Sequence, residues 1–222
     1  MKLKFVMLLS LVCGYHSVTA QDSNTPVAKD AVSVPAQSKQ FSGEALSLKG
    51  HLEELFVVSK KINDPKEKGQ ARRRIEAALD WDRVARDCLG VTHWAKQSAK
   101  GREEFKNLLR EVIVKTAYTR LDKFWDGGTT YHFDKIDIKG QTADVITRFF
   151  VQKDSFILEY FLTRKANKWL IDDVAFEDLR YSVNINEQID AFLKEKSFAN
   201  LLEKLRKRRD ELDSNARSPK KS

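Results

Sequence analysis

The chain carries few residues of the kinds that do chemistry, and their spacing does not bring them together. Four histidines occur. His16 lies in an N-terminal apolar segment. His51, His93 and His132 are scattered, with none of the short spacings that place two imidazoles on one metal and no His-Glu-x-x-His. No phosphate-cradling P-loop and no Gly-x-Ser-x-Gly nucleophile elbow is present. Asp172 and Asp173 look like a carboxylate pair, but as strand neighbours they are expected on opposite faces of a sheet, where they could not share a proton. Of the two cysteines, Cys13 belongs to the N-terminal segment. Cys88 stands in the stripe Trp81, Val84, Ala85, Cys88, Leu89, which reads as one buried helix face with an inert thiol and no intramolecular disulfide. Catalytic groups can assemble from distant positions, so missing motifs lower the odds of an enzyme without excluding one. No metal and no cofactor is expected.

The ends of the chain read as an address and a tail. Lys2 and Lys4 precede the apolar run Phe5 to Cys13, and Val18-Thr19-Ala20 offers the small residues of a cleavage site. Residues 1–20 are therefore expected to be a signal peptide, with the mature chain starting at Gln21. Lipidation at Cys13 is disfavoured by Val12, where a small residue is normally required. Residues 21–42, rich in Ser, Ala, Val, Pro and Gln, read as a disordered linker. One domain is expected over 43–209, and a basic disordered tail over 210–222. The whole chain has 41% hydrophobic residues and a net charge of +8. An export signal turns that charge away from nucleic acid and toward anionic lipid headgroups or an acidic partner. A solvated basic surface with no partner is the plainer reading.

The elements follow from periodicity. Leu48, Leu52, Leu55, Phe56 and Ile62 recur at helical spacing. Asn63-Asp64-Pro65 ends that helix and starts another, with Asp64 as the cap. Asp80 caps a short helix that Gly90 ends, and Ser98 caps the longest, which stops at Asp126-Gly127-Gly128. Four strands are expected, at about Tyr131–Ile138, Ala143–Gln152, Phe156–Arg164 and Trp169–Val174. Their short polar joins favour an antiparallel meander. Helices follow over Arg180 to Lys196 and from Ser197 on, ending in the basic run Lys204 to Arg209. Helices, meander, helices make an α+β fold with the helices packed on the sheet.

The strands carry the most useful clue. One face presents Val145, Thr147, Phe149 and Val151 beside Phe156, Leu158, Tyr160 and Leu162. The reverse, with Arg148 and Glu159 among Ile146, Phe150, Ile157 and Phe161, is mixed. Either helices partly cover the second face, or the apolar face lines a cavity.

Several stretches, in order and spacing, resemble the MlaC (toluene-tolerance) family. They are Leu79-Asp80-Trp81 through Gly90 with Trp94 after it; Phe105, Leu108, Leu109 and Tyr118 on the long helix; Tyr160; Trp169 to Val174; Glu177, Asn184 and Gln188; and Leu201-Leu202-x-x-Leu205. The likeness runs from about Leu48 to Arg208. Asp178-Leu179-Arg180 departs from the family's Gly-Val-Ser, and Ile185-Asn186 from a Tyr-Arg pair. The resemblance implies a cone-shaped four-stranded α+β fold with an apolar cavity, of nuclear-transport-factor-2 or cystatin type. It further implies a monomeric periplasmic carrier that moves phospholipid between an outer-membrane lipoprotein complex and an inner-membrane ABC transporter with MCE-domain subunits, maintaining outer-membrane asymmetry. The acyl-chain lining expected on that basis is Leu109, Ile113, Tyr118, Phe124, Val145, Thr147, Phe149, Tyr160, Leu162 and Ile171. An exported enzyme on the same scaffold and an envelope adaptor are the rival readings.

Overall fold

The computed structural model describes residues 41–126 and 128–217. The expected signal peptide, the linker up to residue 40 and the last residues of the tail lie outside them. Leu48, Leu52 and Phe56 form one buried stripe on helix α1 (Gly43–Ser59), as their spacing predicts. Asp64 then accepts the backbone N–H groups of Lys66 and Glu67 at 2.7 and 3.2 Å. It caps a turn that leads into α2 (Lys68–Ala77), not the helix itself. Asp80 caps α3 (Trp81–Leu89) by accepting from the Arg83 N–H at 3.3 Å. Gly90 ends it with φ 82°, and a Cβ there would stand 2.5 Å from the Asn186 amide nitrogen. After the short α4 (Val91–Ala95), the Ser98 hydroxyl accepts from the Gly101 N–H at 3.1 Å and caps α5 (Ala99–Asp126).

The meander follows as β1 (Thr130–Lys139), β2 (Thr142–Val151), β3 (Asp154–Lys165), β4 (Lys168–Phe176) and β5 (Leu179–Arg180). All pairings are antiparallel and the order is sequential. The fold is thus the expected α+β meander with helices, with five strands in place of four. The extra strand is two residues long. It forms because Glu177 and Asp178, at φ 46° and 70°, fold the chain straight back onto β4. Aspartate tolerates that left-handed backbone better than most residues, which suits Asp178 to the turn. Helix α6 (Tyr181–Glu195) and helix α7 (Phe198–Arg217) close the chain. The tail expected from residue 210 is therefore helical to Arg217. Leu212 packs on the helical core, and Asp213 pairs with Lys115 at 2.5 Å, which extends the helix past the basic run.

The interior is divided. Val84, Cys88, Leu89, Phe105, Leu109, Val112, Ile185, Ile189, Leu201 and Leu205 from α3, α5, α6 and α7 make a helical core. A second cluster lies between one face of the sheet and α1, joined by Phe124 and Trp125 of α5.

Candidate functional site

The second cluster is built largely of rings. Phe149 on β2 is 1% exposed. Its ring lies 5.5 Å from Phe56, 5.4 Å from Phe124 and 6.0 Å from Tyr131, and stacks on Phe156 at 5.5 Å. Phe56 in turn reaches Trp125, Tyr131, Phe133 and Tyr160 at 6.3, 4.9, 6.0 and 6.0 Å. Val145, Leu162, Ile171 and Val174 extend the same apolar surface along β2, β3 and β4. Between sheet and helix, where the cavity is expected, these side chains lie in contact with one another. Aromatic edges and faces close on each other because α1 brings Phe56 to the middle of the sheet.

Of the expected lining residues, Phe124, Val145, Phe149, Tyr160, Leu162 and Ile171 are brought together in this cluster. Thr147 sits between Val145 and Phe149 on the same strand face. It is 0% exposed, and its hydroxyl has no hydrogen-bond partner. The Trp125 indole N–H is likewise buried without one. Leu109 and Ile113 lie apart, in or against the helical core. Tyr118 is also placed elsewhere. Its hydroxyl donates to the Glu76 carboxylate at 3.1 Å and its ring lies under the Arg72 guanidinium, so it ties α5 to α2. Burial, with Glu76 beside it, raises its pKa. These three share helix α5 with Phe124, and the helix period alone does not say which turn meets the sheet. The cluster also takes in residues outside that expected lining, among them Leu48, Leu52 and Phe56 on α1, Tyr131 and Phe133 on β1, and Trp125, Phe156 and Trp169.

The carboxylate pair requires a correction. Ile171 and Val174 both face the ring cluster, which simple alternation forbids. The β3–β4 register shifts between Phe161 and Leu162, so β4 holds one extra residue there. Asp172 and Asp173 both leave the cluster side and turn toward the helical layer. Asp173 accepts from the Ser182 N–H and hydroxyl at 3.1 and 2.6 Å, the Arg180 guanidinium at 3.0 Å and the Val174 N–H at 2.9 Å. It serves as a tertiary N-cap that pins α6 to β4. Asp172 accepts from the Thr163 hydroxyl at 2.6 Å, and burial raises its pKa. Each carboxylate has its own partners, so the pair is structural, although not for the reason of opposite faces.

The remaining chemistry-bearing groups stand apart. Cys88 is fully buried in the helical core, where desolvation pushes its thiol pKa up. His93 pairs with Asp190 at 3.0 Å at the protein edge. Among the described residues, no three metal-ligating side chains converge, and no helix is long and apolar enough to cross a membrane. A polar concavity of about 410 Å³ between Asp80, Arg83, Trp94 and Lys165 lies away from the ring cluster.

The molecule is thus an α+β protein whose sheet carries one continuous apolar face, covered by α1 and the end of α5, and among the described residues the ionisable groups do not converge on that face. The sequence profile described as MlaC protein matches residues 56–207. That is well over half of the chain, which belongs to the MlaC family. Among solved structures it is similar to the phospholipid-binding protein from Ralstonia solanacearum, determined in complex with a phospholipid. The TM-score is 0.63 at 15% identity, covering 78% of this chain and 99% of that one. At that identity the likeness speaks for the fold. No curated protein matches the sequence.

Proposed function

We propose that the protein is a periplasmic phospholipid carrier. Acyl chains would enter between α1 and the sheet, with the headgroup left in water. In this reading the chain shuttles lipid between an outer-membrane lipoprotein complex and an inner-membrane ABC transporter with MCE-domain subunits, and the transporter supplies direction through ATP.

The observation that carries the reading is how the apolar sheet face is covered. Among the described residues no backbone hydrogen bond joins α1 to the sheet. The helix is held by Leu48, Leu52 and Phe56, by a Glu44–Arg164 ion pair, and by Lys49 lying over the Phe133 ring. Exposing three such side chains costs about 5–9 kcal/mol. Two acyl chains of roughly 15 methylenes, at about 0.8 kcal/mol each, contribute about 24 kcal/mol when withdrawn from water. Reckoned from water, that gain exceeds the cost of moving the three α1 side chains aside, so acyl chains can replace α1 on the sheet face, whereas a small polar ligand cannot. The family membership and the phospholipid held by the Ralstonia protein support the same assignment.

A second reading, an envelope adaptor with a permanently closed interior, is favoured by the ring-to-ring packing taken alone. Organic extraction of the purified protein followed by lipid mass spectrometry separates the two. Near-stoichiometric phospholipid, absent from an equally purified control protein, is the expected result. A folded protein that carries no lipid and takes none up from vesicles would overturn the carrier reading.

A further inference from the structure

The positive charge of the chain is concentrated in two runs, and the fold treats them differently. The C-terminal run Lys204 to Arg209 is largely neutralised by its own neighbours. Arg206 pairs with Glu104 of α5, Arg208 with Glu211 at 3.2 Å, and Arg209 with Asp210 at 2.8 Å and Glu111 at 3.7 Å. Lys204 lies 4.8 Å over the Phe192 ring.

Residues 60–74, where α1 turns into α2, hold seven Lys or Arg against only Asp64 and Glu67. Arg72 is turned inward onto the Ile62 carbonyl, Asn63 and Tyr118. Lys61 pairs with Glu67 at 2.7 Å, and Arg74 reaches Glu54 at 3.5 Å. Lys66, Lys68 and Arg73 are exposed and have no carboxylate partner among the described residues. Lys60 is exposed too, its ammonium 4.9 Å over the ring of Trp125 at the edge of the aromatic cluster. Beside it Val57 is 54% exposed. Core packing does not account for the composition of α2, which buries only Ala71.

We propose that this corner, formed by Val57, Lys60, Lys66, Lys68 and Arg73, docks the protein on an anionic bilayer surface. Separate, flexible cations around an exposed apolar side chain suit a diffuse field of headgroup phosphates. A folded acidic partner would call for fixed, directional pairs. Trp125 links the corner to the ring cluster, so docking would bring the sheet–α1 seam close to the headgroups. The surface stands on its charge and exposure and does not depend on what the interior holds.

The test is co-sedimentation of the purified full chain with vesicles of phosphatidylcholine alone or mixed with phosphatidylglycerol. Binding is expected only to the mixed vesicles, and it should fall steeply as salt is raised toward ~0.5 M. The variant Lys66→Glu, Lys68→Glu, Arg73→Glu should bind roughly a hundredfold or more weakly, since each lost surface cation weakens partitioning about fivefold and each new carboxylate adds repulsion. Lys96→Glu, Lys100→Glu, Lys153→Glu changes the net charge equally at exposed positions elsewhere and should retain most of the binding. Circular dichroism on both variants checks folding, and the wild-type salt and composition profiles stand without any variant. Failure to bind mixed vesicles at low salt overturns the proposal. So does equal loss in the two variants, which would make net charge the cause. Binding to soluble polyglutamate but not to vesicles would assign the corner to an acidic macromolecule and overturn it as well. Lipid extraction reports on the interior separately, so either idea can fail alone.

Discussion

Replacing Phe149 with alanine tests whether the ring cluster is an ordinary core or a site that yields to acyl chains. Phe149 is 1% exposed and lies among Phe56, Phe124, Trp125, Tyr131 and Phe156. Truncation should cost about 3–5 kcal/mol, the transfer free energy of the ring plus the unfilled space it leaves. In a rigid core that loss is permanent. In an interior that admits acyl chains, a lipid fills the vacated space, and four or five methylenes at about 0.8 kcal/mol each return about 3–4 kcal/mol. Urea unfolding of wild type and Phe149→Ala, each delipidated and then with a saturating short-chain phosphatidylglycerol, measures both quantities. The lipid should raise the midpoint of the variant at least as much as that of the wild type. A loss of 3 kcal/mol or more that lipid leaves untouched in both proteins would refute the reasoning, because the cluster would then be closed to ligand.

Thr147→Val replaces a fully buried, unpartnered hydroxyl with a methyl group of similar shape. It should stabilise the lipid-free protein by about 1 kcal/mol in the same urea assay. Asp173→Ala strands the Ser182 N–H and hydroxyl and frees Arg180. It should cost about 3 kcal/mol in urea unfolding, with faster amide hydrogen exchange in the first turn of α6, while Asp173→Asn, which keeps an acceptor, loses less. Burial raises the pKa of Asp172 above its unfolded value. Its ionised form therefore weakens the fold at neutral pH, and that cost fades as pH falls through the raised folded pKa. Asp172→Asn should be more stable than wild type at pH 7, with the gain shrinking in acid; a gain that grows in acid would contradict the sign. Leu109→Ala should destabilise the helical core by about 2–5 kcal/mol, and lipid uptake measured by mass spectrometry should stay unchanged in the folded fraction.

Much of the fold was legible because its signals are local. The stripe Leu48, Leu52, Phe56, the caps at Asp80 and Ser98, the stop at Gly90 and the short polar joins of the meander each act within a few residues, and each is found where the sequence implies it. The apolar face of β2 and β3 was legible for the same reason, since these strands keep strict alternation and place Val145, Thr147, Phe149, Tyr160 and Leu162 on one side. Alternation failed on β1 and β4. On β1 the spacing Tyr131, Phe133, Ile136, Ile138 marks a register shift between Phe133 and Lys135. On β4 Trp169, Ile171, Val174 marks the shift that turned Asp172 and Asp173 to one side. The same skipped step in both strands was present in the sequence as a pattern. A bulge becomes readable only once the partner strand supplies the register.

What the sequence by itself determined is therefore the main elements and their order, short of α4 and β5, together with the apolar face of the sheet and the family. The tertiary structure alone decided which turn of α5 meets that face, so that Phe124 joins the rings while Leu109 serves the helical core. It also decided that Arg206 and Arg209 of the conspicuous basic run on α7 pair with Glu104 and Glu111 of α5, while the run from Lys60 to Arg74 keeps exposed charge. Periodicity is set by the backbone geometry of a single element and can be read along the chain. Contact between faces, as of Phe124 with Phe149, and the pairing of Arg206 with Glu104 depend on residues far apart in the chain, and only the packed chain brings those together.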